Sequence, residues 1–186
     1  YYLRQRTNDG DMIFQCDDGS GGDATYLTLD GGLGYITVQK RMKFNDNTQL
    51  QFGNGGDLQF YHTGSVGVLY NNTGDFTIRQ NADDKDIIFQ CDDGSGGVET
   101  YFFLDGSLSG GNPCTVFPDN SNLQLGTAGD FSMTHNGSNS FINNATGDLT
   151  ISVNGTDKDL ILKSDDGSGG ETAYLTLDGS HTETVF

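Results

Sequence analysis

The chain has 186 residues, a formal net charge of −17 from 9 basic and 26 acidic side chains, and 33% apolar residues. That acidity is repelled by nucleic acid and by anionic membranes, and no apolar run approaches the roughly 20 residues that span a bilayer as a helix. The apolar share lies below that of a compact globule, but evenly placed Phe, Leu and Ile argue against disorder, so a thin, turn-rich β structure with a narrow core is expected.

The chain opens on Tyr1-Tyr2-Leu3-Arg4-Gln5, which matches Phe76-Thr77-Ile78-Arg79-Gln80 at an offset of 75 residues. It is therefore read as beginning at a strand inside a repeating unit, as an internal slice of a longer polypeptide. Next comes the hexapeptide Asp-Asp-Gly-Ser-Gly-Gly at Asp17–Gly22, which recurs at Asp92–Gly97 and Asp165–Gly170. Leu-Asp-Gly follows it at Leu29, Leu104 and Leu177, and a joint of variable length leads to the next unit. From Thr48 to Ser107 the chain aligns without a gap with Ser121 to Ser180. A fixed long period is the signature of an array in which each unit lies against its neighbours. The chain divides into a partial first repeat and joint (1–43), a full repeat (44–116) and a second full repeat (117–186).

Within a unit, period-two alternation predicts short strands. Leu58, Phe60 and His62 share one face, as do Ile87, Phe89 and Cys91, then Leu149, Ile151 and Val153, then Leu175 and Leu177. These faces are expected to be inward. Tyr26, Tyr101, Phe103 and Tyr174 fall opposite them and would cover a groove or touch a partner chain. Turns of Gly, Asn and Asp such as Asn54-Gly55-Gly56, Asn136-Gly137-Ser138 and Asn154-Gly155 punctuate the strands. Apolar spacing at i, i+3, i+4 is nowhere sustained, so no helix is predicted. The fold expected is all-β: an elongated repeat of short strands, a meander of β-prism or β-helix kind. Its open edges would be closed by winding with identical chains into an intertwined trimeric fibre.

The residues with chemical potential are few. Cys16 and Cys91 hold equivalent positions, but the third unit has Ser164 there and no Cys-x-x-Cys occurs, so neither a disulfide nor a metal framework is assigned. Cys16, Cys91 and Cys114 are read as small half-buried thiols. His62 and His135 recur in register on the expected core face; each is read as bonded to a neighbour's backbone, the alternative being three copies meeting on a fibre axis. His181 sits in a joint. The paired Asp of the hexapeptide allow a Ca²⁺ site, or a solvated turn between two strands; the order and spacing differ from those of Ca²⁺-binding β-rolls. Nucleophilic catalysis needs Ser or Cys beside His and a carboxylate, and a histidine repeated in every full unit argues against a single active site. The chain is read as non-enzymatic, with no catalytic, cofactor-binding or metal-ligating residue assigned and no cofactor implied.

The segments Asp57-Leu58-Gln59-Phe60-Tyr61-His62-Thr63-Gly64-Ser65 and His135-Asn136-Gly137-Ser138-Asn139-Ser140-Phe141-Ile142 are each followed by Thr-Gly-Asp-(Phe/Leu)-Thr-Ile. They resemble repeats of bacteriophage tail fibres and related virion proteins, especially those of marine phages. Leu50-Gln51-Phe52-Gly53 and Leu123-Gln124-Leu125-Gly126 fit the same pattern. In the first copy Val66-Gly67-Val68-Leu69-Tyr70 departs from it. The resemblance implies a trimeric fibre shaft on an extracellular virion, partnered by identical chains and by other tail or baseplate proteins. It also implies that host receptor contact is made only by regions outside this slice, with no nucleic acid and no membrane as partner. Two other expectations stand beside it: a Ca²⁺-stabilised secreted or surface bacterial adhesin of β-roll type, and a homopolymeric extracellular filament.

Overall fold

In the computed structural model, which describes residues 1–108, 110–181 and 183–185, every regular element among the described residues is a β-strand. The chain forms two compact units, Tyr1–Ile78 and Arg79–Phe186. The first holds β1 (Met12–Asp17), β2 (Asp23–Leu29), β3 (Ile36–Val38), β4 (Leu50–Phe52), β5 (Leu58–His62) and β6 (Gly67–Asn71). The second holds β7 (Ile87–Asp92), β8 (Val98–Asp105), β9 (Cys114–Val116), β10 (Asn122–Leu125), β11 (Phe131–His135), β12 (Ser140–Asn144), β13 (Leu160–Asp165), β14 (Glu171–Asp178) and β15 (Glu183–Val185). Consecutive strands pair antiparallel into five three-stranded meanders. The all-β expectation therefore holds.

Two kinds of sheet alternate along the sequence. The sheets β1-β2-β3, β7-β8-β9 and β13-β14-β15 are built on a long hairpin closed by the acidic hexapeptide. Their paired positions match apolar to apolar: Met12 with Leu29 and Phe14 with Leu27, then Ile87 with Leu104 and Phe89 with Phe102, then Leu160 with Leu177 and Leu162 with Leu175. The Phe89 and Phe102 rings stack with centroids 4.5 Å apart, and Phe117 extends the stack at 5.7 Å. Such cross-strand pairs are the unit of sheet stabilisation. Each long hairpin carries a β-bulge at the same place, after Phe14, Phe89 and Leu162. The residue left without a partner is Tyr26, Tyr101 or Tyr174. A bulge bends and twists the strand that carries it, and here it aims Tyr101 and Tyr174 back across the hairpin. Their hydroxyls donate to the carbonyls of Asp92 and Asp165 at 3.1 and 3.2 Å. Simple alternation had no means of locating this extra residue.

The sheets β4-β5-β6 and β10-β11-β12 are short meanders. One face carries Leu50, Phe60 and Leu69 in one row and Phe52 beside Leu58 in the next. The second copy carries Leu123, Met133 and Ile142, then Leu125 beside Phe131.

Several sequence expectations are corrected. First, the predicted inward face is not covered: no apolar residue among those described is buried, and Phe60 and Met133 are 58% and 44% exposed. Alternation states which residues share a face but not what lies against it. Second, Cys16 and Cys91 are exposed rather than half-buried, and only Cys114 is intermediate; all three are free thiols. Third, Leu149–Val153 is in no strand, and neither are its equivalents Tyr1–Gln5 and Phe76–Gln80. Phe103, expected among the exposed aromatics, is half-buried, whereas Tyr26, Tyr101 and Tyr174 are exposed.

The exposed area measures this openness. The chain presents 15152 Å² to solvent. Two separate compact bodies of about half its mass each would together present only ~10,500 Å² by the usual scaling of folded proteins.

Candidate functional site

The hexapeptide is the most repeated chemical element, and its two Asp side chains bond the Gly and Ser that follow them alike in all three copies. Asp17 and Asp23 are the last pair of the β1–β2 ladder, and Asp18 N–H donates to the Gly22 carbonyl at 2.8 Å. Oδ1 of the first Asp accepts the amide two residues on: Gly19, Gly94 and Gly167 at 2.8, 2.7 and 2.7 Å. Oδ1 of the second Asp accepts both the amide and the hydroxyl of the Ser: Ser20 at 2.7 and 2.7 Å, Ser95 at 2.8 and 2.6 Å, Ser168 at 2.8 and 2.7 Å. In the first and third copies the closing Gly22 and Gly170 amides reach the same oxygen at 3.2 and 3.1 Å. Gly19 and Gly21 have φ of +81° and +91°, and their equivalents match, a region that glycine enters without steric cost. Every residue type of Asp-Asp-Gly-Ser-Gly-Gly thus has a local task.

These bonds stabilise the ionised carboxylate. The Ser20, Ser95 and Ser168 hydroxyls, followed by the backbone amides, hold Asp18, Asp93 and Asp166 below the ordinary carboxylate pKa. One oxygen of each of these carboxylates, Oδ1, is thus occupied by donors of its own loop. Among the described residues no three His, Cys, Asp or Glu side chains are grouped to hold a metal ion.

A second carboxylate set escaped sequence reasoning. Asp11, Asp86 and Asp159 each accept the amide of the Leu-Asp-Gly glycine at 3.0 Å, from Gly31, Gly106 and Gly179 respectively. A Cβ on any of these glycines would overlap the carbonyl oxygen of Gly10, Lys85 or Lys158, so the motif needs glycine for close backbone approach. The motif's own Asp caps the joint that follows. Asp105 accepts Ser107 N–H and hydroxyl and Leu108 N–H, and Asp178 accepts Ser180 N–H and hydroxyl and His181 N–H. Both are held below the ordinary carboxylate range, by the Ser107 amide foremost in one and the Ser180 hydroxyl in the other. The signal that could have found the first set is the recurrence of Asp11, Asp86 and Asp159 in register, always one residue before a strand.

The histidines are not brought into a common site. His62 Nδ1 lies 3.0 Å from Asp46 Oδ1 and 3.1 Å from the Gly64 amide nitrogen. One ring nitrogen cannot donate to the first and accept from the second, so the two contacts belong to different tautomers. His135 Nδ1 meets Ser140 Oγ at 3.0 Å, and His181 Nδ1 meets Ser180 Oγ at 2.7 Å and Asp178 Oδ2 at 3.4 Å. The backbone bond expected of both repeated histidines is thus available only to His62, from the Gly64 amide. Among the described residues no nucleophile–base–carboxylate chain is completed at His62 or His135.

Two clefts occupy equivalent places. In the first unit Leu3, Arg4 and Gln5 face Met12, Leu29 and Ile36 across about 480 Å³. In the second, Ile151, Ser152 and Val153 face Leu160, Leu177 and Thr184 across about 470 Å³. A third cleft, of about 570 Å³, is more polar and is lined by Asp93, Glu99, Tyr101 and Asp119.

The arrangement defines an all-β repeat in which the recurrent Asp side chains bond turn amides and no apolar residue among those described is fully buried. No family model matches the chain, and no match was found among curated proteins or solved structures.

Proposed function

We propose that this chain is a structural segment, the shaft of a trimeric phage tail fibre. Three identical chains bury their apolar faces together, and the resulting rod holds a receptor-binding tip away from the virion. Other tail or baseplate proteins anchor it, and host contact lies outside this segment. The observation that carries the reading is the complete lack of a buried apolar side chain among the described residues of a chain whose apolar residues are nonetheless sorted onto shared faces. Soluble monomers rarely leave contiguous apolar patches larger than a few hundred Å², and the excess of roughly 4,700 Å² over two compact bodies is several times the ~800 Å² per partner of an ordinary interface.

Sedimentation equilibrium tests this. The expected mass is that of three chains, unchanged by a chelator. A folded single chain would overturn the reading, and one that unfolds when Ca²⁺ is removed would support the β-roll adhesin instead. Open-ended growth would support the homopolymeric filament.

A further inference from the structure

Each repeat contains one stretch that makes no use of its backbone. Tyr1–Gln5, Phe76–Gln80 and Leu149–Val153 run without turn or bend. None of their residues has a positive φ, and no backbone–backbone hydrogen bond joins any of them to another described residue. They keep the period-two alternation of a strand, and their apolar members stand in water: Ile78 is 58% and Ile151 62% exposed. Beside the first and third of these stretches lies a cleft of mixed polar and apolar lining, bounded on its other side by the long-hairpin sheet. The sheets themselves end in open edges, since each has only three strands.

We infer that these stretches are inter-chain strands: each pairs its backbone with a second copy of this chain, which at Tyr1–Gln5 and Leu149–Val153 seats in the adjoining cleft. The inference rests on the proposed assembly of identical chains and adds which backbone makes the ladder between them. Three observations select a second copy as the occupant. Donor and acceptor recur with one period, so one unpaired strand and one set of open edges are available in every unit, and two copies in register satisfy each other along their whole length. The exposed area in excess of two compact bodies suits a large interface between obligate partners. The hairpin side of each cleft carries aliphatic residues, Met12, Leu29 and Ile36 in one and Leu160 and Leu177 in the other, and apolar side chains alternate along Phe76–Gln80 and Leu149–Val153. Strand addition to an open edge gives affinity through main-chain bonds and specificity through alternate side chains.

The test is amide hydrogen exchange on the full chain with its mass measured in the same buffer, repeated for Thr150→Pro and Thr150→Val. Proline fits an extended backbone but removes a ladder donor; valine keeps that donor and suits a strand. The expected result is an assembled mass with amides of 149–153 exchanging at least 10-fold slower than those of a free peptide, protection lost in Thr150→Pro and kept in Thr150→Val. An assembled mass with 149–153 exchanging like a free peptide overturns the inference and leaves the shaft reading standing. So does protection that Thr150→Pro leaves unchanged. A single-chain mass overturns the shaft reading itself, and this inference with it.

Discussion

The long-hairpin sheets and the short meanders are made from the same kinds of residue yet are stabilised by different means. A long hairpin such as β7–β8 is tied at both ends by carboxylates: Asp92 and Asp93 close its turn, and Asp86 and Asp105 fix its base. Its bulged Tyr101 bonds across it. The meander β4-β5-β6 has polar bonds too, at its turns and ends, from Gln59 to the Gly56 carbonyl, from Asn71 to the Thr73 and Gly74 carbonyls and around His62, but its face of Leu50, Phe52, Phe60 and Leu69 is uncovered. Local polar bonds can shape a hairpin in an isolated chain. An apolar face gains nothing until something covers it.

The largest test of this contrast is on the meander face. On the shaft reading, Phe60→Ala in the assembled protein costs about 3–5 kcal/mol per chain, the usual range for a buried Phe. Phe60→Asp together with Met133→Asp abolishes the three-chain mass. If the face stays in water, each change stays within about 0.5 kcal/mol, and the proposed covering of that face is wrong. Denaturant midpoints and sedimentation of the variants decide between these outcomes.

A smaller effect is expected at the base of the long hairpin. Gly106→Ala forces a methyl against the Lys85 carbonyl, at a cost of about 1–3 kcal/mol as overpacking. Gly97 is the control within the same hairpin. Its φ is not positive, and a Cβ there would meet nothing within 4 Å, so Gly97→Ala is neutral or stabilising by up to ~1 kcal/mol. Equal urea midpoints for the two variants would show that the close approach at Gly106 is not a constraint.

Much of this molecule was legible in its sequence because its elements are local. The 75- and 73-residue offsets gave the unit, and Leu58, Phe60 and His62 were placed on one face of one strand. The hexapeptide was read as a turn between strands, where the structure puts it. What sequence could not supply was depth. Phe60 on a shared face and Phe60 in a core have the same spacing, and only the coordinates separate them. The bulges at Tyr26, Tyr101 and Tyr174 were hidden because an added residue shifts the alternation without changing composition. The bonds from Asp11, Asp86 and Asp159 span 20 residues, beyond the reach of a local motif.

The thiols offer a probe of the same contrast without changing stability. Cys16 and Cys91 are exposed on the long hairpins, and Cys114 on β9 is partly covered. A small disulfide reagent should modify two thiols per chain quickly and the third more slowly. Slow modification of all three in the assembled protein would show that copies cover the hairpin sheets as well as the meanders.

The smallest effect concerns pH and separates the polar closure from the apolar faces. Asp18, Asp93 and Asp166 are held below the ordinary carboxylate pKa, first by the Ser hydroxyl of the same turn. A depressed folded-state pKa means that the unfolded chain binds the proton first as pH falls. The turns' contribution is therefore fully present above the unfolded value of about 3.9 and is lost as pH drops through the folded value. Stability should be flat near neutrality and decline below about pH 4. Ser168→Ala removes the leading cause at Asp166, so the carboxyl chemical shift of Asp166 should titrate higher than in the parent chain while those of Asp18 and Asp93 stay unchanged. All three carboxylates lie on exposed turns, so the change in global stability is slight. A titration of Asp166 unmoved by the loss of the Ser168 hydroxyl would mean that the backbone amides alone hold the turn.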